Sequence, residues 1–180
     1  EALEAKRTTL GDRHPDTLIS INNLGSLLKA KGDLDGAEPL YREALGARRE
    51  TLGHRHPDTL GSINNLGSLL KAQGKLEEAA PLYREALQAR RETLGDKDPR
   101  TLASGNNLGV LLKAQGKLEE AGPLIREDLQ AKRETLGDKH PDTMTSVNRL
   151  GEQLNARGKL EHSEPLVREA LQAMRETLGD

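Results

Sequence analysis

An all-α solenoid of antiparallel helix hairpins is the fold class this sequence predicts, and three observations predict it. The first is a repeat: Pro15, Pro57, Pro99 and Pro141 stand 42 residues apart, as do Gly32, Gly74, Gly116 and Gly158. Residues 18–59 and 60–101 share 31 identities in 42, and repeats of this length mean stacked supersecondary units. The second is composition. Among 180 residues there are 32 leucines, two tyrosines, and no Phe or Trp. Such a core suits thin helical layers and argues against an all-β fold, which draws on aromatic and β-branched residues. The third is punctuation. Each repeat carries a proline where a first helical turn tolerates it and glycines where a left-handed stop is needed.

The elements follow in order. Residues 1–14 read as a leading half-helix, over 1–10, and a loop. The chain opens on "EALEAKR", without Met, which reads as a start in mid-helix and as a fragment or an engineered chain. Repeats are expected over about 15–56, 57–98, 99–140 and 141–180, with 1–180 forming one repeat domain. In the first, Pro15 and the dipole-favoured Asp16 start a helix that Gly32 ends after Lys31. A second helix runs from Leu34 to Leu52 and stops at Gly53. Later pairs are expected near 57–73 and 76–94, 99–115 and 118–136, and 141–157 and 160–178. The short connections make neighbouring helices antiparallel. Pro39 and its counterparts fall about one and a half turns into each second helix, where proline removes a backbone bond and bends the helix.

Composition excludes several functions. The formal net charge is −2, so nothing points to non-specific nucleic-acid binding. There is no cysteine, hence no disulfide framework or thiol chemistry, which fits an intracellular, cytoplasmic protein. No apolar run reaches membrane-spanning length, and no signal peptide opens the chain. No catalytic constellation, phosphate-binding glycine loop or cofactor motif stands out, so an enzyme is not expected.

One feature resists this frame. Asn22–Asn23 recurs as Asn64–Asn65 and Asn106–Asn107, and half-recurs as Asn148–Arg149. Asn is a poor helix former, because its amide competes for backbone hydrogen bonds. On a wheel at 100° per residue, Ile21, Leu24, Gly25 and Leu28 share the arc facing the second helix. Gly25 permits close approach there, and Leu27 points sideways at a neighbouring repeat. The remaining arc holds Ile19, Asn22, Asn23, Ser26, Lys29 and Ala30.

The segment "INNLGSLLKAQGKLEEAAPLYREAL", with Leu66–Gly67, Leu70, Gly74, Ala79, Tyr83 and Ala86, resembles tetratricopeptide repeats. The 42-residue version, with "RRETLG" and "HPDTL", is similar to the repeats of kinesin light chains. The resemblance covers the whole chain. It implies a right-handed superhelix with first helices lining a concave groove, and it implies that groove asparagines hold short peptides. An amide supplies donor and acceptor together, so it can pair with the backbone of an extended peptide. Asn22, Asn23, Asn64, Asn65, Asn106, Asn107, Asn148 and Arg149, with Ser26 and Ser68, are therefore the candidate groove residues. Alternatively, the amides bond to one another and set repeat geometry. Lys29, Lys71 and Lys113 should make the groove positive, with Glu152 the one acid placed there. An acidic peptide partner is favoured, with affinity that falls in salt. The Lys–Asn dicarboxylate clamp of chaperone-binding relatives is not reproduced. Ile125 and Val167 replace Tyr, and Gly105 and Asp128 mark the third repeat as the weak point.

The expected function is thus a protein–protein interaction scaffold without metal or cofactor. The rival reading is a self-associating or consensus-like engineered scaffold, joined end to end through faces left open by the leading half-helix and the 160–178 helix. Two motifs are discounted. "HPD" at 14–16, 56–58 and 140–142 matches a co-chaperone tripeptide, but it repeats in phase with the helices and reads as a helix start. Asp98, a good N-cap, replaces His once. His14, His54, His56 and His140 lack the ligand set zinc requires.

Overall fold

A computed structural model describes residues 2–178. Among these the chain is wholly helical: α1 (Ala2–Leu10), α2 (Pro15–Ala30), α3 (Leu34–Leu52), α4 (Pro57–Ala72), α5 (Leu76–Leu94), α6 (Pro99–Ala114), α7 (Leu118–Leu136), α8 (Pro141–Ala156) and α9 (Leu160–Leu178). Glu1, Gly179 and Asp180, which the expected first and last segments include, lie outside the described residues. The contacts gather into two compact units, Glu1–Thr93 and Leu94–Asp180.

Local chemistry explains the boundaries. His14, His56, Asp98 and His140 cap α2, α4, α6 and α8, each side chain accepting from the backbone N–H two residues on. Proline follows at the first helical position, where no amide bond is lost. Gly32 takes φ +86°, a left-handed conformation that only glycine adopts without strain. Its N–H then bonds back to the Lys29 carbonyl. First helices end one residue before the expected Lys31, which instead caps α2 through its backbone N–H to the Leu27 carbonyl. α3, α5, α7 and α9 run continuously through Pro39, Pro81, Pro123 and Pro165.

In the N-terminal unit, Leu18, Ile21 and Ala44 form a buried cluster, flanked by Leu3, Leu40 and Ala47. Ile63, Leu66 and Leu70 of α4 and Ala79, Tyr83 and Ala86 of α5 are likewise buried. The Tyr41 ring lies over Gly25 and the Tyr83 ring over Gly67, where an added Cβ would sit 3.0 Å and 2.8 Å away. The expected close approach at these glycines is therefore an aromatic ring seated on bare backbone. In the C-terminal unit, Leu108, Leu111 and Leu112 of α6, Leu124 and Ile125 of α7, and Val147 and Leu150 of α8 are buried. Leu27 departs from expectation: it is 51% exposed, whereas Leu69, Leu111 and Gln153 at the same register are 0% exposed. At this register Gln153 reaches back to the preceding hairpin, its Nε2 donating to the Leu118 carbonyl at 2.8 Å. Among the described residues the element before α2 is the nine-residue α1, not a hairpin.

Candidate functional site

The asparagine register is built by α2 and α4 in one unit and by α6 and α8 in the other. Asn22 is buried, 6% exposed. Its Nδ2 donates to the Leu18 carbonyl at 3.1 Å, and its Oδ1 accepts from Asn65 Nδ2 at 3.3 Å. Asn23 is exposed. With its amide oriented to match its surroundings, Asn64 Oδ1 accepts from the Arg90 guanidinium at 3.1 Å. In the C-terminal unit Asn106 Oδ1 accepts from Arg149 Nη1 at 2.6 Å, while Asn107 and Asn148 are half-buried. This is the alternative arrangement, in which the amides bond to one another: the second residue of one pair bonds the first residue of the pair before it, 43 positions earlier, and Arg149 takes the amide's place once. A wheel drawn on one helix misses this, because the neighbouring first helix covers one edge of the arc.

The cations divide by unit. Lys29 Nζ donates to Ser68 Oγ at 2.6 Å. Burial, and then the nearby Lys71 ammonium, push the Lys29 pKa below the ordinary lysine value. Lys71 is exposed, and among the described residues neither ammonium has a carboxylate partner. Ser26 and Ser68 are less available than expected: Ser26 Oγ bonds the Tyr41 hydroxyl at 2.9 Å, and Ser68 bonds that of Tyr83. Burial raises the Tyr83 pKa, so that phenol remains a neutral hydrogen-bonding group at physiological pH. In the C-terminal unit Lys113 Nζ meets Glu152 at 2.6 Å, in the register that links Lys29 to Ser68.

Sequence reading missed a second set of cations. Lys6 Nζ donates to Ser20 Oγ (2.8 Å), Arg48 Nη1 to Ser62 Oγ (2.8 Å), and Lys132 Nζ to Ser146 Oγ (2.9 Å). Each ties the end of one helix to the first turns of the next. The signal was present: a Lys or Arg, then a Ser 14 residues later, in phase with the repeat. Asp128 joins the last of these. It is buried and bonded to both Ser146 and Lys132, so the carboxylate read as a weak point is paired. From α1 and along the second helices, Arg7–Glu43, Arg49–Glu85 and Arg133–Glu169 repeat at a spacing of 36, each a surface pair worth little alone.

His14, His56 and His140 use Nδ1 as the cap acceptor at 3.2 Å, so that lone pair is occupied. Among the described residues no cluster of three or more His, Cys, Asp or Glu could hold a metal ion. No described helix is long and apolar enough to cross a membrane. Chemically, the α2–α4 face offers amide donors and acceptors beside two ammonium groups.

Comparison with known proteins agrees with the fold. The tetratricopeptide repeat model matches residues 1–50, 16–92, 58–127 and 100–176. No curated protein matches. Among solved structures, a Podosopora anserina protein described as a kinesin light chain with nearly identical TPR-like repeats is 25% identical. It superposes with a TM-score of 0.88 over 99% of this chain and 84% of its own. BtubC (BKLC) from P. vanneervenii is 24% identical with a TM-score of 0.82, over 93% of this chain and 67% of that one. MamA 41-end from Desulfovibrio magneticus RS-1 is 14% identical with a TM-score of 0.72, over 97% and 82%. The latter two are likenesses of fold alone.

Proposed function

The chain belongs to the tetratricopeptide repeat family, and on that premise we propose that it is a scaffold binding an extended acidic peptide on the α2–α4 face. Proteins of this family generally mediate protein–protein interactions, and the kinesin-light-chain-like fold is typically non-catalytic. The observation that carries the finer reading is the pair Lys29 and Lys71. Two neighbouring ammonium groups without an internal carboxylate form a standing demand for an anion. Asn23, exposed on α2, supplies amide donor and acceptor for a peptide backbone. Asn22 and Asn65 hold the two helices in register and act through geometry.

A peptide array with acidic, neutral and basic sets tests this. Acidic peptides should bind, and their affinity should fall with added salt. Lys71→Gln, at an exposed position, should weaken them several-fold without loss of thermal stability. Equal binding of the neutral set, or an unchanged affinity in Lys71→Gln, removes the reading.

A specific observation also favours the rival, self-association. Leu160, Val167 and Leu171 of α9 are 62%, 38% and 52% exposed, an apolar face of the kind that stacked repeats cover. Light scattering over a concentration series distinguishes the two: a binder working through the α2–α4 face alone stays monomeric.

A further inference from the structure

The geometry points to a second binding site, in the C-terminal unit and separate from the α2–α4 face: a pocket on α7 for a peptide that places an apolar side chain next to a carboxylate. The repeat supplies its own reference for this. On α3, Arg42 holds Glu38 four residues earlier and Glu78 thirty-six residues later. On α9, Arg168 holds Glu164 four residues earlier. At the same register of α7, Arg126 has Gly122 four residues earlier and His162 thirty-six later. It has lost both carboxylates, and among the described residues its guanidinium has no partner.

Arg126 stands on the rim of a cavity of about 520 Å³ floored by Leu102, Pro123 and Ala131. The equivalent hollows beside His54 and beside Asp138 measure about 280 and 230 Å³. The enlarged one falls within the range of ligand pockets, roughly 300–1,000 Å³. Its other charges are engaged: Lys97 Nζ meets Glu134 Oε2 at 2.9 Å, and Asp96 and Glu127 have interactions of their own. An apolar side chain on that floor puts a neighbouring carboxylate within reach of the one unsatisfied cation. A guanidinium–carboxylate contact is charge-assisted and bidentate in its best form, which gives it direction as well as strength.

The test is an amide-resolved NMR titration of the whole chain with acetyl-Leu-Glu-Leu-amide and its Gln twin. Shifts should cluster on α7 and around Lys97, and the Glu peptide should bind roughly tenfold tighter than the Gln peptide. Arg126→Gln, at an exposed position, should abolish that preference, whereas Lys71→Gln should leave it intact. Equal binding of the two peptides overturns the proposal, as does a preference that survives Arg126→Gln. Shifts confined to α2 and α4 overturn it too, while supporting the acidic-peptide face; loss of the preference in Lys71→Gln alone does the same.

Discussion

The two units use the same cross-repeat registers and fill them with different chemistry. On the first-helix face of the N-terminal unit the joints lack carboxylates: Asn65 on Asn22, Lys29 on Ser68, and tyrosine rings over Gly25 and Gly67. In the C-terminal unit they are charged or aliphatic: Arg149 on Asn106, Lys113 on Glu152, and Ile125 beside Gly109. The difference decides where charge is left over. Dipoles satisfy Lys29 without cancelling it, whereas Glu152 neutralises Lys113. Register is thus a property of the repeat, while the character of a face is set by single residues within it.

The largest effect that would break this comparison lies at Asp128. Removing its partner with Lys132→Met leaves a buried carboxylate short of its cation and should cost about 3–5 kcal/mol. Asp128→Ala installs the residue found at Ala44, where Arg48 keeps its Ser62 bond without a carboxylate, and should cost less than Lys132→Met. Urea denaturation of both variants checks this; equal losses would make the carboxylate itself an asset.

Next come the glycines. Gly67→Ala pushes a Cβ to 2.8 Å from the Tyr83 ring, and overpacking of this kind costs about 1–3 kcal/mol. Gly109→Ala meets nothing closer than 3.6 Å, and the gain in helix propensity is roughly 0.5–1 kcal/mol. Opposite shifts in Tm would sharpen the contrast between a tyrosine joint and an isoleucine joint.

The smallest effect is a response to acid. The bond from Lys75, and less so that from Arg42, hold the Glu38 carboxyl down at about 2. A folded pKa below the unfolded one stabilises above the unfolded value and is lost as pH falls through the folded one. Amide protection around α3 should therefore weaken between about pH 4.5 and pH 2. Glu38→Gln should flatten that slope. α7 carries Gly122 at this register and has no such clamp.

Most of the fold was legible because its signals are local. Proline, cap and glycine positions set helix limits within a residue, since each acts on the backbone beside it. The site was less legible. The wheel placed Asn22 and Asn23 on one open arc, yet Asn22 is buried and Asn23 exposed. That outcome depends on α4, 42 residues away, which no single-helix projection contains. The Tyr41–Ser26 bond escaped for the same reason. Asp128 was read from its type alone, and burial of a charge is judged by its partners, which only the packed chain reveals.

Within each unit the tying contacts advance by a constant stride: 36 on second helices, 43 between asparagine registers, 39 from lysine to its acceptor. A one-residue insertion inside a repeat would therefore throw many partners out of step at once. Adding or deleting a whole 42-residue module preserves every offset. Such an array can lengthen or shorten by recombination between its own copies, with no new joint to invent.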